Sequence, residues 1–204
     1  MTFSARTLAP LVLAFCITLL AIGSLFKQQI QGEQGELYRA SHAATRLSLD
    51  LKAQTTAYEL VLNEYYATVI DTERYRQKAT AIRQAIEHTL DGLKNLGNQD
   101  YTLAEKELGN LLREIDQQRP PLENALQENQ RDWEKAREML FKINITSAQV
   151  IELASKTALS ATEKADLLAK QQQTQQNQLN LALIAIALLA AAQAFINLRR
   201  QVAR

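Results

Sequence analysis

Two uncharged apolar stretches, residues 8–26 and 179–198, constrain this chain more than any other feature of it. Each is about 20 residues long, which at about 1.5 Å rise per residue matches the roughly 30 Å hydrocarbon core of a bilayer. They predict two transmembrane helices enclosing one polar block, residues 27–178. With only six Gly and three Pro in the whole chain, that block has few breakers against long helices. The formal charge of +1 offers no broad basic field, so nucleic acid is not an expected partner. Cys16, the lone cysteine, lies inside the first apolar stretch, which excludes a disulfide framework or thiolate cluster in the outer block.

The first stretch is too long for the apolar region of a cleaved signal peptide and ends Gly23-Ser24-Leu25-Phe26-Lys27, so it reads as a retained signal anchor rather than a removed leader. Phe15 before Cys16 does not fit a lipoprotein signal. The tails at 1–7 and 199–204 carry Arg6, Arg199, Arg200 and Arg204 without an acid, while the other flanks mix Lys27 and Arg39 with Glu33 and Glu36. The positive-inside bias places both tails in the cytoplasm and the central domain outside, in a bacterial periplasm.

Within residues 27–178 the apolar spacing predicts four helices, at about 28–70, 72–96, 100–128 and 132–178. In the first, Ala44, Leu51, Tyr58 and Tyr65 fall on one heptad position, and Thr55, Leu62 and Val69 on a second. Gly32 and Gly35 should make its membrane-proximal end less regular. Asp71-Thr72-Glu73 supplies a turn and cap, followed by Tyr75, Ala79, Ile82, Ile86, Leu93 and Leu96 at helical spacing, and Gly97-Asn98 closes the second helix. The third is expected to be capped by Asp100 and to bury Ala104, Leu108, Leu111, Ile115, Leu122 and Ala125. Pro120-Pro121 leaves two outcomes, a kinked helix resuming to about 128 or a loop; unbroken apolar phase favours the kink. The fourth helix carries Trp133, Ala136, Leu140, Ile143, Val150, Ala154 and Leu168, with Ser147 and Thr157 as polar members, and continues through the glutamine-rich residues 171–178 into the second apolar stretch.

The outer two helices are longer than the middle two, so the short pair can accompany only part of the long pair. The remainder is a two-helix stalk with little core of its own, and a homodimer that pairs two stalks would bury their seams. The expected fold class is all-α: a membrane-anchored antiparallel four-helix bundle, up-down-up-down, its first and last helices continuous with two transmembrane helices.

This order of parts, with Tyr58-Glu59-Leu60-Val61-Leu62 in the first helix, residues 86–96 closing the second and Asp132-Trp133-Glu134-Lys135-Ala136-Arg137-Glu138-Met139-Leu140 opening the fourth, resembles the four-helix-bundle ligand-binding region of methyl-accepting chemotaxis receptors. The resemblance spans residues 8–204. It implies a periplasmic sensor that relays a signal across the membrane. Receptors of that family continue through a HAMP linker into a signalling coiled coil. Here the sequence ends at Arg204, so relay is expected to need a partner receptor or signalling protein, or a cytoplasmic region beyond this chain.

Few residues carry chemistry. Related receptors hold small anions on arginines at a dimer interface. Arg39 and Arg46, seven apart on one face of the first helix, are the candidate ligand-binding residues, with a solvated face as the plainer reading. Residues 88–97, beginning His88-Thr89-Leu90-Asp91, resemble the phosphorylatable-histidine pattern of phosphotransfer domains. Asp91 stands where that pattern has a lysine, so His88 reads as an ordinary helix residue. Thr146 and Ser147 are polar positions within the fourth seam, and Asn144-Ile145-Thr146 is a glycosylation sequon in mid-helix. Tyr58, Tyr65, Tyr66 and Tyr75 gather near the distal end of the first hairpin, as packing residues whose hydroxyls reach solvent. His42 and His88 are too distant in sequence to argue for a metal site. In the second apolar stretch, Ala187 and Ala191 form a small-residue stripe and Gln193 is a polar group in hydrocarbon, all candidates for transmembrane packing. No catalytic constellation or cofactor motif emerges. The expected function is a membrane-bound sensor of a small molecule or partner protein, or else a structural adaptor whose bundle binds another protein; an enzyme is not expected.

Overall fold

In the computed structural model, which describes residues 5–127 and 131–202, all regular structure is helical. Four helices follow in chain order: α1, Ala5–Tyr66; α2, Thr72–Lys94; α3, Gln99–Ala125; and α4, Trp133–Val202. The expected third-helix end at 128 and the outermost tail residues, 1–4 and 203–204, lie outside the described residues.

Side-chain oxygens that occupy unsatisfied backbone N–H groups start three of these helices. Asp71 Oδ1 accepts from Arg74 N at 2.8 Å, Asn98 Oδ1 from Asp100 N at 2.9 Å, and Asp132 Oδ1 from Lys135 N at 3.0 Å. The cap of α3 is therefore Asn98 and not Asp100. Asp100 sits in the first helical turn, where its Oδ2 accepts from Lys164 Nζ at 3.0 Å. Gly32 and Gly35 do not interrupt α1, because helical hydrogen bonding carries through both positions and nothing lies within 4 Å of where a Cβ would stand.

Pro120 and Pro121 both lie inside α3, so the loop alternative is excluded. Without N–H groups they cannot bond the carbonyls of Asp116 and Gln117. Only about one turn of the helix follows them, and Leu122 and Ala125 there are buried.

By contact density the chain divides into two units. Unit 2, Arg39–Ala165, holds a single hydrophobic cluster to which all four helices contribute, with Leu51, Leu62, Leu93, Leu108, Leu122 and Ile143 fully buried. Polar contacts join the same helices. Tyr101 Oη donates to Ser41 Oγ at 3.1 Å (α3 to α1), Thr45 and Thr162 hydroxyls pair at 3.2 Å (α1 to α4), Thr89 Oγ1 donates to Gln54 Oε1 at 3.1 Å and Lys78 Nζ to Glu64 Oε2 at 2.8 Å (α2 to α1). The α1 seam is buried as its heptads require, except at Val69, which is 71% exposed. Helix α1 stops at Tyr66 and Thr68 adopts φ +59°, so heptad phase is lost and Ile70 takes the inward position. Trp133 likewise departs from the seam, at 43% exposed. As the first residue of α4 it lies against the turn, with its ring edge-on to Tyr66 at 5.8 Å and Arg131 over its face at 5.7 Å.

The left-handed conformation of Thr68 is costly for a β-branched residue, and glycine adopts it freely. Thr68→Gly is expected to stabilise the chain by about 0.5–1 kcal/mol after the entropy of the freer unfolded state is subtracted. An unchanged or lower urea midpoint would contradict this.

Unit 1, Met1–Tyr38 with Asp166–Arg204, is different in character. Many of its described large side chains point outward, with Leu25, Leu181, Leu188, Leu189 and Phe195 each more than 60% exposed. Helix α4 contains a window long and apolar enough to cross a membrane, and none of that window is buried. An outward apolar surface of this kind suits hydrocarbon rather than water.

Candidate functional site

Polar groups collect inside unit 2 where α2 and α3 pass Tyr58 of α1. Tyr58 belongs to the α1 seam and is 2% exposed, with its hydroxyl fully enclosed and no hydrogen bond made to it. About two turns of α3 supply Asp116, Arg119 and Glu123, spaced so that all three face the same side. Helix α2 supplies Tyr75 and Arg83.

Two ion pairs organise the cluster. Arg83 Nη2 donates to Asp116 Oδ2 at 2.6 Å across the α2–α3 boundary, with Glu87 Oε1 3.9 Å from the same guanidinium. Arg119 Nε lies 3.2 Å from Glu123 Oε1, and that same carboxylate oxygen accepts from Tyr75 Oη at 3.1 Å. The Tyr75 ring stacks on Tyr65 with centroids 4.2 Å apart. Burial raises both tyrosine hydroxyls above their ordinary range, so Tyr58 and Tyr75 stay protonated and act as neutral donors. For Arg119 burial alone would lower the pKa; the Glu123 carboxylate beside it works the other way, and the guanidinium is held charged.

Beside this cluster a crevice of about 110 Å³ opens between α2 and α3. Tyr58, Ile86, Leu90, Leu112 and Ile115 give it a mainly apolar lining, and the Arg83–Asp116 pair stands at its edge, each side chain about a third exposed. Gly109 lines it as well: a Cβ there would meet only Glu105 Oε1, at 3.8 Å.

Asp116 titrates above its ordinary value of 3.8 because burial outweighs the favourable Arg83 and Arg119 charges. The folded state thus binds this proton more tightly than the unfolded state, so the contribution of Asp116 to stability is greatest at low pH and declines as pH rises from about 4 through the raised pKa. Relative to the wild type, Asp116→Asn is expected to gain stability between pH 4 and pH 7. Urea midpoints of the two proteins that run parallel across that range would refute it.

The residues singled out from sequence lie elsewhere. Arg39 and Arg46 both occupy the exposed side of α1, Arg46 with its side chain 84% exposed and 3.8 Å from Asp50, and they form no enclosed site within one chain. Ala187, Ala191 and Gln193 are exposed along α4. His88 is exposed on α2, whereas Thr146 and Ser147 are buried in the α4 seam, the Ser147 hydroxyl without a partner. Tyr58 corrects the expectation that the tyrosine hydroxyls reach solvent: its register places it one full heptad inside the helix end, under α2 and α3. Arg83, Asp116, Arg119 and Glu123 were not singled out, since an isolated Arg or acid on an amphipathic helix reads as a solvated face. Only the i,i+4 spacing of Arg119 and Glu123 was a signal. Among the described residues no three His, Cys, Asp or Glu side chains come together as metal ligands. No family model, curated protein or solved structure matches this chain.

Proposed function

We propose that this chain is a membrane-anchored, chemoreceptor-like sensor module that binds rather than catalyses. In this reading unit 2 is an antiparallel, up-down-up-down four-helix bundle in the periplasm. Residues 8–26 and 179–198 cross the inner membrane as two helices, and both termini are cytoplasmic. The observation that carries the reading is the double character of α4: one helix supplies fully buried bundle residues, Ala136, Ile143, Val150 and Ala154, and also the unburied apolar window suited to a bilayer. A displacement of such a helix by a ligand has a covalent route toward the cytoplasmic side, where a partner chain or a further cytoplasmic region would receive it.

The topology is tested with single cysteines in a Cys16→Ser background. A membrane-impermeant maleimide applied to intact spheroplasts is expected to label Gln149→Cys and spare Gln201→Cys until the membrane is opened. Equal labelling of both would defeat the two-pass arrangement. Sensing itself is tested by thermal unfolding of the full chain in detergent against a metabolite panel, where a ligand of the folded state raises Tm by mass action.

A second reading, an adaptor that holds another protein, draws on apolar side chains left on the surface of unit 2: Leu49 and Leu60 on α1, Phe141 and Leu159 on α4, all more than half exposed. Leu49 and Leu60 share the α1 side that carries Arg46, which is also the side on which a homodimer would pair. A chain that gives no thermal shift with any metabolite but crosslinks through Leu60→Cys to a second protein favours the adaptor.

A further inference from the structure

We propose that the α2–α3 crevice is a binding site for a small uncharged polar molecule, one with a hydrogen-bonding head and a short apolar body. This deepens the sensor reading and rests on it for its purpose, though the binding can be measured separately. Three observations on different side chains converge. First, Tyr58 lines the crevice, and its buried hydroxyl makes no hydrogen bond of ordinary geometry, with Arg119 the strongest of the charges acting on it. Second, the charged side chains that line it balance in number, Arg83 and Arg113 against Glu87 and Asp116. An ionic ligand would upset that balance, whereas a neutral head takes the Tyr58 hydroxyl and leaves the Arg83–Asp116 pair intact. Third, Ile86, Leu90 and Leu112 supply apolar walls, and the missing side chain of Gly109 leaves room beside them.

Size narrows the class. An apolar protein cavity of about 150 Å³ holds benzene, with its six heavy atoms. The crevice, at about 110 Å³ and open on one side, suits a body of three or four carbons with its head on Tyr58. Short amides, alcohols and ketones meet this description; amino acids, dicarboxylates and phosphates do not.

Propionamide and propionate have the same size and shape and differ in charge, so they separate this proposal from an anion site. The full chain is prepared in detergent with 3-fluorotyrosine, the Tyr58 resonance is assigned by its loss in Tyr58→Phe, and affinity is read from saturation-transfer NMR of the ligand protons. Propionamide is expected to bind saturably and to shift the Tyr58 signal, with propionate at least tenfold weaker. Gly109→Leu fills the crevice and is tolerated on helix propensity and Cβ contacts, so it is expected to abolish binding with the urea midpoint held or raised. Tyr58→Phe is expected to weaken binding about tenfold, the factor for one hydrogen bond. Equal or tighter binding of propionate, no saturable binding of propionamide, or binding that persists in folded Gly109→Leu overturns the site. None of these outcomes touches the sensor reading, which falls only if the metabolite panel gives no ligand. A metabolite whose stabilisation survives Gly109→Leu would place sensing elsewhere on the chain.

Discussion

Replacing Leu62 by alanine is expected to lower the stability of the chain by about 2–5 kcal/mol, measured as a shift in the denaturant midpoint at unchanged slope. Leu62 is completely buried in the cluster shared by all four helices, one heptad beyond Thr55 and between the rings of Tyr58 and Tyr65 along α1. Truncation there removes the transfer energy of three carbons and leaves a cavity that packed aromatic neighbours cannot readily fill. Leu60, two residues earlier on the same helix, is 60% exposed, and Leu60→Ala is expected to stay within about 0.5 kcal/mol. The pair is a test of register as well as packing, because rotating α1 by about half a turn would exchange the two results. Trp133, the only tryptophan, reports on the transition from its contact with Tyr66.

A second large effect is expected at Glu123. Its Oε1 is shared by the Arg119 guanidinium and the Tyr75 hydroxyl. Glu123→Leu strands both: a cation next to the unpaired Tyr58 hydroxyl, and a phenol buried to 1% exposure. The expected loss is about 1–3 kcal/mol. The lower part of the range for broken ion pairs applies because Arg119 and Glu123 retain 27% and 22% side-chain exposure, which lets water reach part of the guanidinium. Adding Arg119→Met should recover part of that loss, since two apolar replacements remove the stranded cation and leave the Tyr75 phenol as the group newly without a partner. Strict additivity in the double-mutant cycle would show that the shared carboxylate does not couple the two groups.

These two sites differ in how far they can be read from sequence. Leu62 is legible: seven-residue spacing from Thr55 is enough to turn it inward, and the same reasoning correctly buries Ala44, Leu51, Tyr58 and Tyr65. Val69 and Trp133 mark where that reasoning ends, because periodicity assumes a helix and both residues sit where one stops or starts. Asn98 took the cap expected of Asp100 for a similarly local reason: both side chains can accept, and the residue in extended geometry before the first turn is the one that does. Glu123 is a harder case. Beside Arg119 it has the spacing of an ordinary surface ion pair, and nothing in the chain near it says that a tyrosine 48 residues away donates to the same oxygen.

The amino-acid sequence by itself determined the helical class, the inward seams and the apolar stretches, because each rests on short-range periodicity or on unbroken composition over one segment. Tertiary structure alone decided which polar residues meet. Arg83 with Asp116, and Tyr58 beneath both, are joined by how three helices align along one another, and that register is set by the whole buried surface rather than by any local pattern. The polar cluster and its crevice are therefore properties of packing, while the helices that form them are properties of the chain.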